Sequence, residues 1–272
     1  MELTAVRIER SPLAPDRVRL AGTVAYDDRA EPPEEYWFDF PDTCADSLSQ
    51  TGNPWLVALI PLAATLGEPL RLPLPLDPTL RANVRELQEI WTCWFPQVSA
   101  VEVCAPVAVP RSPEAPGRNA AFFSGGVDSF FTVLRRDDPT SPCFGERLDD
   151  LLCIWGFDLP LTSAEAFGRV RDRMRAAAEE TGRALVDVAT NLRTTRWRAT
   201  DWAHHSHGCA LAAIGLCLEP RYRQVLIAAA DTYRNLYPWG THPLTDPLLS
   251  TSRTAFRHDG AGFTRLVKTG VV

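Results

Sequence analysis

The first part of the chain alternates apolar and polar residues with a period of two, a pattern typical of half-buried strands. These segments are residues 5–10, 17–24 and 36–40. Turn residues separate them, so they predict an antiparallel meander. Apolar segments with helical periodicity follow at residues 54–66 and 81–94, and residues 98–103 predict a closing strand. We therefore expect a small α+β domain over residues 1–108.

The second part of the chain alternates short apolar segments with helical ones. The predicted strands are residues 119–123, 150–156, 184–189 and 224–230. The predicted helices between them are residues 130–136, 165–182 and 207–219. Such β-α-β repetition predicts a parallel, doubly wound sheet with helices on both faces. We expect an α/β domain over residues 119–272, preceded by the smaller α+β N-terminal domain and a proline-rich linker at residues 109–118.

The most informative motif lies directly after the strand predicted at residues 119–123. It is the hexapeptide Ser124-Gly125-Gly126-Val127-Asp128-Ser129. Two glycines let backbone N–H groups approach an anion, and the following helix adds its positive N-terminal dipole. Both serine hydroxyls can donate hydrogen bonds. A carboxylate beside phosphate makes sense if Asp128 holds Mg²⁺ that bridges to the phosphate oxygens. The alternative is a simple Gly-Gly turn with a capped helix.

This hexapeptide resembles the pyrophosphate-binding loop of the PP-loop ATP pyrophosphatases, which include GMP synthetase, NAD synthetase and tRNA-thiolating enzymes. The longer pattern is similar to that of an uncharacterised bacterial family of PP-loop proteins. The resemblance implies a PP-loop (HUP-type) fold, ATP and Mg²⁺ as cofactors, and cleavage of ATP into AMP and pyrophosphate. It also implies that Gly156, Phe157 and Asp158 contact the nucleoside, and that Asn191 and the helix start at His207 and Gly208 lie in the nucleotide site.

Polar residues also follow the later predicted strands, where parallel sheets bind ligands. Arg193 belongs to an arginine cluster that could clamp an anion or could be a solvated loop. Asp231 follows the fourth strand, and residues 237–247 form an aromatic, proline-rich segment. We interpret this segment as a substrate-binding loop or lid that uses Trp239, His242 and Asp246, with a packed structural loop as the alternative.

Lys268 is the only lysine beside 27 arginines. A compact ammonium can serve where a planar guanidinium cannot, so Lys268 is a candidate to neutralise charge on the leaving pyrophosphate. The alternative is an incidental surface lysine. We therefore predict Asp128, Lys268 and Arg193 as catalytic residues.

Composition narrows the classes of function. The net charge of −6 gives no electrostatic sign of nucleic-acid binding, so a nucleic-acid partner is not expected. The first residues do not form a signal sequence and no apolar run is long enough to span a bilayer, which favours a cytoplasmic protein without a membrane partner. The seven cysteines form no C-x-x-C pair.

The sequence thus leads to one main hypothesis and two alternatives. The main hypothesis is an AMP-forming ligase that adenylates a carbonyl or carboxylate oxygen of a small molecule for attack by a nitrogen nucleophile. The first alternative is sulfur insertion through the same adenylate, with Cys209 or Cys153 carrying the sulfur. The second is a non-catalytic sensor of ATP or AMP. Candidate partners are a small-molecule substrate, an ammonia- or sulfur-donating protein, and a second copy of the chain.

Overall fold

The structure is a computed structural model that describes residues 1–108 and 117–272. Most of the predicted linker at residues 109–118 lies outside the described residues. Within them the strands are β1 (Glu2–Arg10), β2 (Arg17–Ala25), β3 (Glu34–Pro41), β4 (Leu70–Arg71), β5 (Val103–Cys104), β6 (Arg118–Phe122), β7 (Asp150–Trp155), β8 (Ala184–Thr190), β9 (Tyr222–Ala228) and β10 (Ala255–Asp259). The α-helices are α1 (Asn53–Leu66), α2 (Pro78–Trp94), α3 (Val127–Leu134), α4 (Ala164–Glu180), α5 (His207–Cys217) and α6 (Arg265–Val271).

The helix starts follow from local sequence. Asp77 caps α2 by accepting a hydrogen bond from the Leu80 N–H, and Pro78 occupies the first helical position, where no N–H is needed. Gly67 ends α1 in the left-handed conformation. The closing strand predicted at residues 98–103 is wrong in extent. Only Val103–Cys104 pairs, as a short parallel strand beside β4.

All ten strands of the described residues belong to one sheet, in the order β10-β9-β6-β7-β8-β3-β2-β1-β4-β5. The five strands from β10 to β8 are parallel to their neighbours. Counted along the chain, β8-β7-β6-β9-β10 is the order 3-2-1-4-5, in which the winding direction reverses between β6 and β9. Ligands of doubly wound sheets bind at the carboxyl ends of the strands at this reversal. The predicted α/β class is confirmed.

The predicted antiparallel meander is also confirmed, since β1 pairs with β2 and β2 with β3. The meander continues into the parallel strands because β3 pairs antiparallel with β8, placing Phe38 opposite Thr190. An ion-pair cluster holds this junction together. The Arg17 guanidinium donates to the carboxylate of Asp187, 2.7 Å away, and also to Asp39.

Two hydrophobic clusters lie on the two sides of the sheet. The larger one packs α1, α2 and α5 against residues from both parts of the chain, including Phe38 and Val188. The smaller one includes Ala121, Phe123 and Leu226, with Met174 and Ala177 of α4 packed against it. Neighbouring residues of β6 thus face different clusters, as strand geometry requires. None of the helices in the described ranges has the length and apolar character needed to cross a membrane.

Candidate functional site

The glycine-rich loop lies where the sequence predicts it, between the carboxyl end of β6 and the start of α3. Gly125 has a φ of +74°, a conformation that glycine adopts without strain. A Cβ on Gly125 would lie 2.3 Å from Cε of Met174, so the loop is packed on that side. Gly126 is exposed, and a Cβ there would meet only the Ser124 hydroxyl, at 3.4 Å. The loop is therefore fixed on one side and open at Gly126.

The hydrogen bonds of this loop leave the start of α3 available. The Ser129 hydroxyl donates to the Gly126 carbonyl at 2.9 Å, and the Ser124 hydroxyl accepts from the Gly126 N–H at 3.3 Å. No side chain of the described residues caps α3. The first N–H groups of a helix have no partner within the helix. These donors and the helix dipole together make a site suited to an anion.

Asp128 and Lys268, two of the predicted catalytic residues, meet beside this loop. Lys268 lies in α6, and its Nζ donates to Oδ1 of Asp128 at 3.0 Å and to the carbonyl oxygen of Ala229. The lysine is 1 % exposed, so it is not an incidental surface residue. Arg265 of the same helix lies 3.5 Å from Oδ2 of Asp128. One buried ammonium thus bridges the start of α3 and the residue that follows β9.

The residues present are compatible with Mg²⁺ only if a bound phosphate supplies most of the ligands. Within the described residues no three His, Cys, Asp or Glu side chains cluster as a metal site. Mg²⁺ in nucleotide sites is commonly held by one or two carboxylates together with phosphate oxygens and water. Asp128 can supply one such carboxylate, since an ionised carboxylate has about four lone-pair positions and Lys268 uses one.

The carboxyl end of β7 carries Gly156, Phe157 and Asp158. Gly156 has a φ of +106°, and a Cβ there would lie 2.0 Å from the carbonyl oxygen of Thr190. The structure therefore gives Gly156 a packing role against β8. Phe157 is buried, and its ring packs edge-on against Trp202. Asp158 is exposed and close enough to His207 to influence its pKa.

The carboxyl end of β8 uses its polar groups for packing. The Asn191 amide accepts a hydrogen bond from the Trp37 N–H at 2.9 Å and donates to the Glu35 carbonyl at 2.7 Å, so both ends of the amide bind β3. Arg193 donates to the Phe157 carbonyl at 2.8 Å, and its guanidinium lies 4.3 Å from the centre of the Trp202 ring. These contacts make both residues part of the junction between strand ends.

The other arginines of this cluster also have separate partners. Arg196 pairs with both carboxylate oxygens of Asp28, and Arg198 lies 3.8 Å from Glu31. The three guanidinium groups thus have different partners in this structure, and they do not converge on one point.

The start of α5 approaches another segment of this chain closely. A Cβ on Gly208 would lie 2.1 Å from the Gly240 carbonyl oxygen, which accepts the Gly208 N–H at 3.0 Å. The side chain of His207 hydrogen-bonds to the Trp202 carbonyl and, at 3.3 Å, to the Thr241 hydroxyl. Burial lowers the pKa of His207, although the nearby carboxylates of Asp246 and Asp158 act against this. The small residue at 208 thus serves packing against the loop at residues 237–247.

That loop closes over the ends of β9 and β10 and forms a small cavity. Asp231, Trp239 and His242, three of the predicted substrate-binding residues, line it together with Tyr237 and His258. The fourth, Asp246, is fully buried. Its Oδ1 accepts the His242 N–H at 3.0 Å, and its Oδ2 lies 2.7 Å from Nδ1 of His258. Asp246 therefore holds two lining residues, His242 and His258, without itself lining the cavity.

His258 is the residue that sequence reasoning missed. It lies two positions after the buried Phe256 in β10, so both side chains are on the same face of the strand. A histidine on the core face at a strand end was the available signal. Its significance depends on Asp246, twelve residues earlier, and no local pattern reveals that contact.

The two cysteines considered as sulfur carriers are poorly suited to that role. Cys153 and Cys209 are 4 % and 2 % exposed. Burial raises the pKa of Cys153 to about 11 and raises that of Cys209 further. A thiol must ionise and be reached to act as a nucleophile, so neither cysteine supports the thiolation alternative. In comparisons with known proteins, no family model, curated protein or solved structure gave a significant match to this chain.

Proposed function

We propose that the protein is a cytoplasmic, ATP-dependent enzyme of the PP-loop (HUP) type, an AMP- and pyrophosphate-forming ligase. The observation that carries the proposal is the Ser124–Ser129 hexapeptide at the point where the sheet reverses its winding. There the exposed Gly126 leaves room for an anion, and the uncapped start of α3 provides N–H donors for phosphate oxygens. The resemblance of the hexapeptide to the PP-loop supplies the identity of the anion.

In this proposal the chain's own residues mainly position and neutralise charge. The N–H groups at the start of α3 bind the β and γ phosphates. The Lys268 ammonium lies beside this site, because it is hydrogen-bonded to Asp128. Mg²⁺, when bound by Asp128, neutralises phosphate charge. A carbonyl or carboxylate oxygen of a small-molecule substrate attacks the α phosphorus, pyrophosphate leaves, and a nitrogen nucleophile then displaces AMP. Fixed geometry and charge complementarity are the main sources of acceleration for this chemistry.

The products of ATP distinguish this function from its competitors. Purified protein is incubated with Mg²⁺, ATP labelled at the α phosphorus and a small-molecule extract as the source of acceptors. We expect AMP and an equal amount of pyrophosphate, and none from an Asp128→Asn variant. ADP as the sole product would overturn the ligase. ATP binding without any AMP formation, whatever the extract fraction, would favour the non-catalytic sensor.

A further inference from the structure

A small cavity lies beside the proposed phosphate site, at the ends of β9 and β10. Its volume is about 10 Å³, which is roughly what one water-sized molecule requires. Ala229 connects it to the phosphate loop, because its carbonyl accepts from the ammonium that also binds Asp128, and it directly precedes the cavity residues Ala230 and Asp231. A group bound in the cavity would therefore be close to the phosphate loop.

The walls of this cavity suit a small cation. Asp231 supplies a carboxylate, and the rings of Tyr237 and Trp239, with centres 5.5 Å apart, form an aromatic wall. Aromatic faces attract ammonium groups, and a carboxylate provides the opposite charge. Burial lowers the pKa of His242, which favours its neutral form.

His258 adds a proton acceptor to the same cavity. Its side chain is 5 % exposed, and its Nδ1 lies 2.7 Å from the fully buried carboxylate of Asp246. In the neutral ring, a carboxylate on one ring nitrogen selects the tautomer in which Nδ1 carries the proton and Nε2 has the lone pair. Among the described residues no partner binds Nε2. The pair thus has the arrangement of a histidine general base oriented by a buried carboxylate.

We propose that this cavity binds a small nitrogen nucleophile as its ammonium form, ammonia itself or a short primary amine, and that His258 is the general base that takes its proton. Asp246 is a positioning residue. The inference rests on the proposed function, since that function supplies the adenylated substrate that the nitrogen attacks.

The proposed step is balanced by the groups named. One N–H bond of the ammonium breaks and its proton moves to Nε2 of His258, which becomes an imidazolium beside Asp246. The freed lone pair forms a C–N bond with the adenylated carbon. The C–O bond to the phosphate breaks and its electron pair leaves with AMP. A phosphate oxygen of the departing AMP takes the second proton, which the newly bonded nitrogen loses. No oxidant or reductant is needed.

The direct test observes the histidine rings of the full-length protein without nucleotide. The chain has five histidines, so the imidazole signals in a ¹⁵N-labelled sample can be assigned by substitution. At mildly alkaline pH we expect His258 to carry its proton on Nδ1. Ammonium or methylammonium chloride should shift the signals of His258 and His242 saturably, whereas the His205 signal, outside the cavity, should stay unchanged. Sodium and tetramethylammonium chlorides at equal ionic strength should cause no such shift.

Variants separate binding from structure. Asp231→Asn should weaken the ammonium response at least tenfold, whereas Asp172→Asn, an exposed aspartate on α4, should leave it unchanged. In His258→Asn the amide can still donate to Asp246 but provides no ring acceptor. We expect the melting temperature to be kept and the ammonium response of His242 to fall at least threefold. An Nε2-protonated His258, equal shifts with sodium, or no saturable ammonium response would each overturn the proposal. These outcomes do not depend on ATP binding, so they are distinct from a failure of the ligase function.

Discussion

The carboxyl ends of β6 and β8 are both rich in polar residues, but they use these residues differently. After β8, Thr190 and Asn191 spend their side-chain hydrogen bonds on the backbone of β3. After β6, the loop keeps an exposed glycine and an uncapped helix start. The polar side chains at the end of β8 are therefore satisfied within the protein, whereas no side chain caps the first N–H groups of α3, which remain available to a ligand. The comparison teaches that partners, more than residue types, separate a binding loop from a structural junction.

The largest change in the free energy of unfolding should come from adding a methyl group at Gly156, which packs against the end of β8. In Gly156→Ala the new Cβ would have to displace the Thr190 carbonyl, and the alanine would have to adopt a positive φ. We expect the free energy of unfolding to fall by about 3 kcal/mol or more. Gly126→Ala, in the open loop, should change it by less than about 1 kcal/mol. Urea denaturation of both variants measures this difference, and equal losses would remove the distinction between the two strand ends.

The buried ring of His205 should also make the free energy of unfolding depend on pH. Its ring lies between Trp91 and Phe95 and its Nε2 is buried without a partner in the described residues. Burial lowers its pKa from 6.5 to about 4. The unfolded chain therefore takes up a proton below pH 6.5 that the folded protein refuses, so stability falls as pH drops from about 6.5 to 4, by about 3 kcal/mol.

A substitution isolates this contribution. His205→Leu has similar volume and no titratable group, so its free energy of unfolding should lose about 3 kcal/mol less than that of the wild type between neutral pH and pH 4. Urea denaturation at several pH values tests it. Identical pH profiles for the two proteins would show that His205 is protonated in the folded state.

A smaller loss of stability is expected when Asn191, which joins β8 to β3, is replaced by alanine. Asn191→Ala removes two hydrogen bonds to β3 and should cost about 1–3 kcal/mol. Because the amide is engaged by backbone, affinity for ATP should not change. Calorimetric titration with ATP checks this. A tenfold weaker affinity for ATP with unchanged stability would instead show that Asn191 contacts the nucleotide.

The smallest expected effect is that of replacing Lys268, and it concerns the rate of AMP formation. A guanidinium cannot copy the compact bonds of the ammonium to Asp128 and Ala229. We expect Lys268→Arg to slow AMP formation at least tenfold, about 1.4 kcal/mol of transition-state stabilisation. Arg257→Lys, at an exposed position of β10, serves as the control. Unchanged AMP formation in both Lys268→Arg and Lys268→Met would leave Lys268 with a structural role alone.

Local patterns predicted the parts of this molecule whose causes are local. Period-two alternation identified the meander, and the Ser124–Ser129 spacing located a turn that glycines and a helix start define by themselves. The pairing of Phe38 with Thr190 was not predictable, because an exposed strand edge does not encode which strand will join it. The Asp246–His258 contact and the division of the arginines among separate carboxylates depend on tertiary packing. The sequence therefore located the loop, but it did not reveal the packing contacts that Gly156, Asn191 and Arg193 make.

The most direct test of the central claim is calorimetric titration of α,β-methylene-ATP and of pyrophosphate, both with Mg²⁺, into the wild type and two alanine variants. Gly126→Ala adds a methyl group to the open loop, and Gly168→Ala adds one in α4 where nothing lies within 4 Å. The account predicts that both ligands bind the wild type and Gly168→Ala equally well. It predicts at least tenfold weaker binding to Gly126→Ala at an unchanged melting temperature. Equal affinity in all three proteins, or no binding to the wild type, would contradict it.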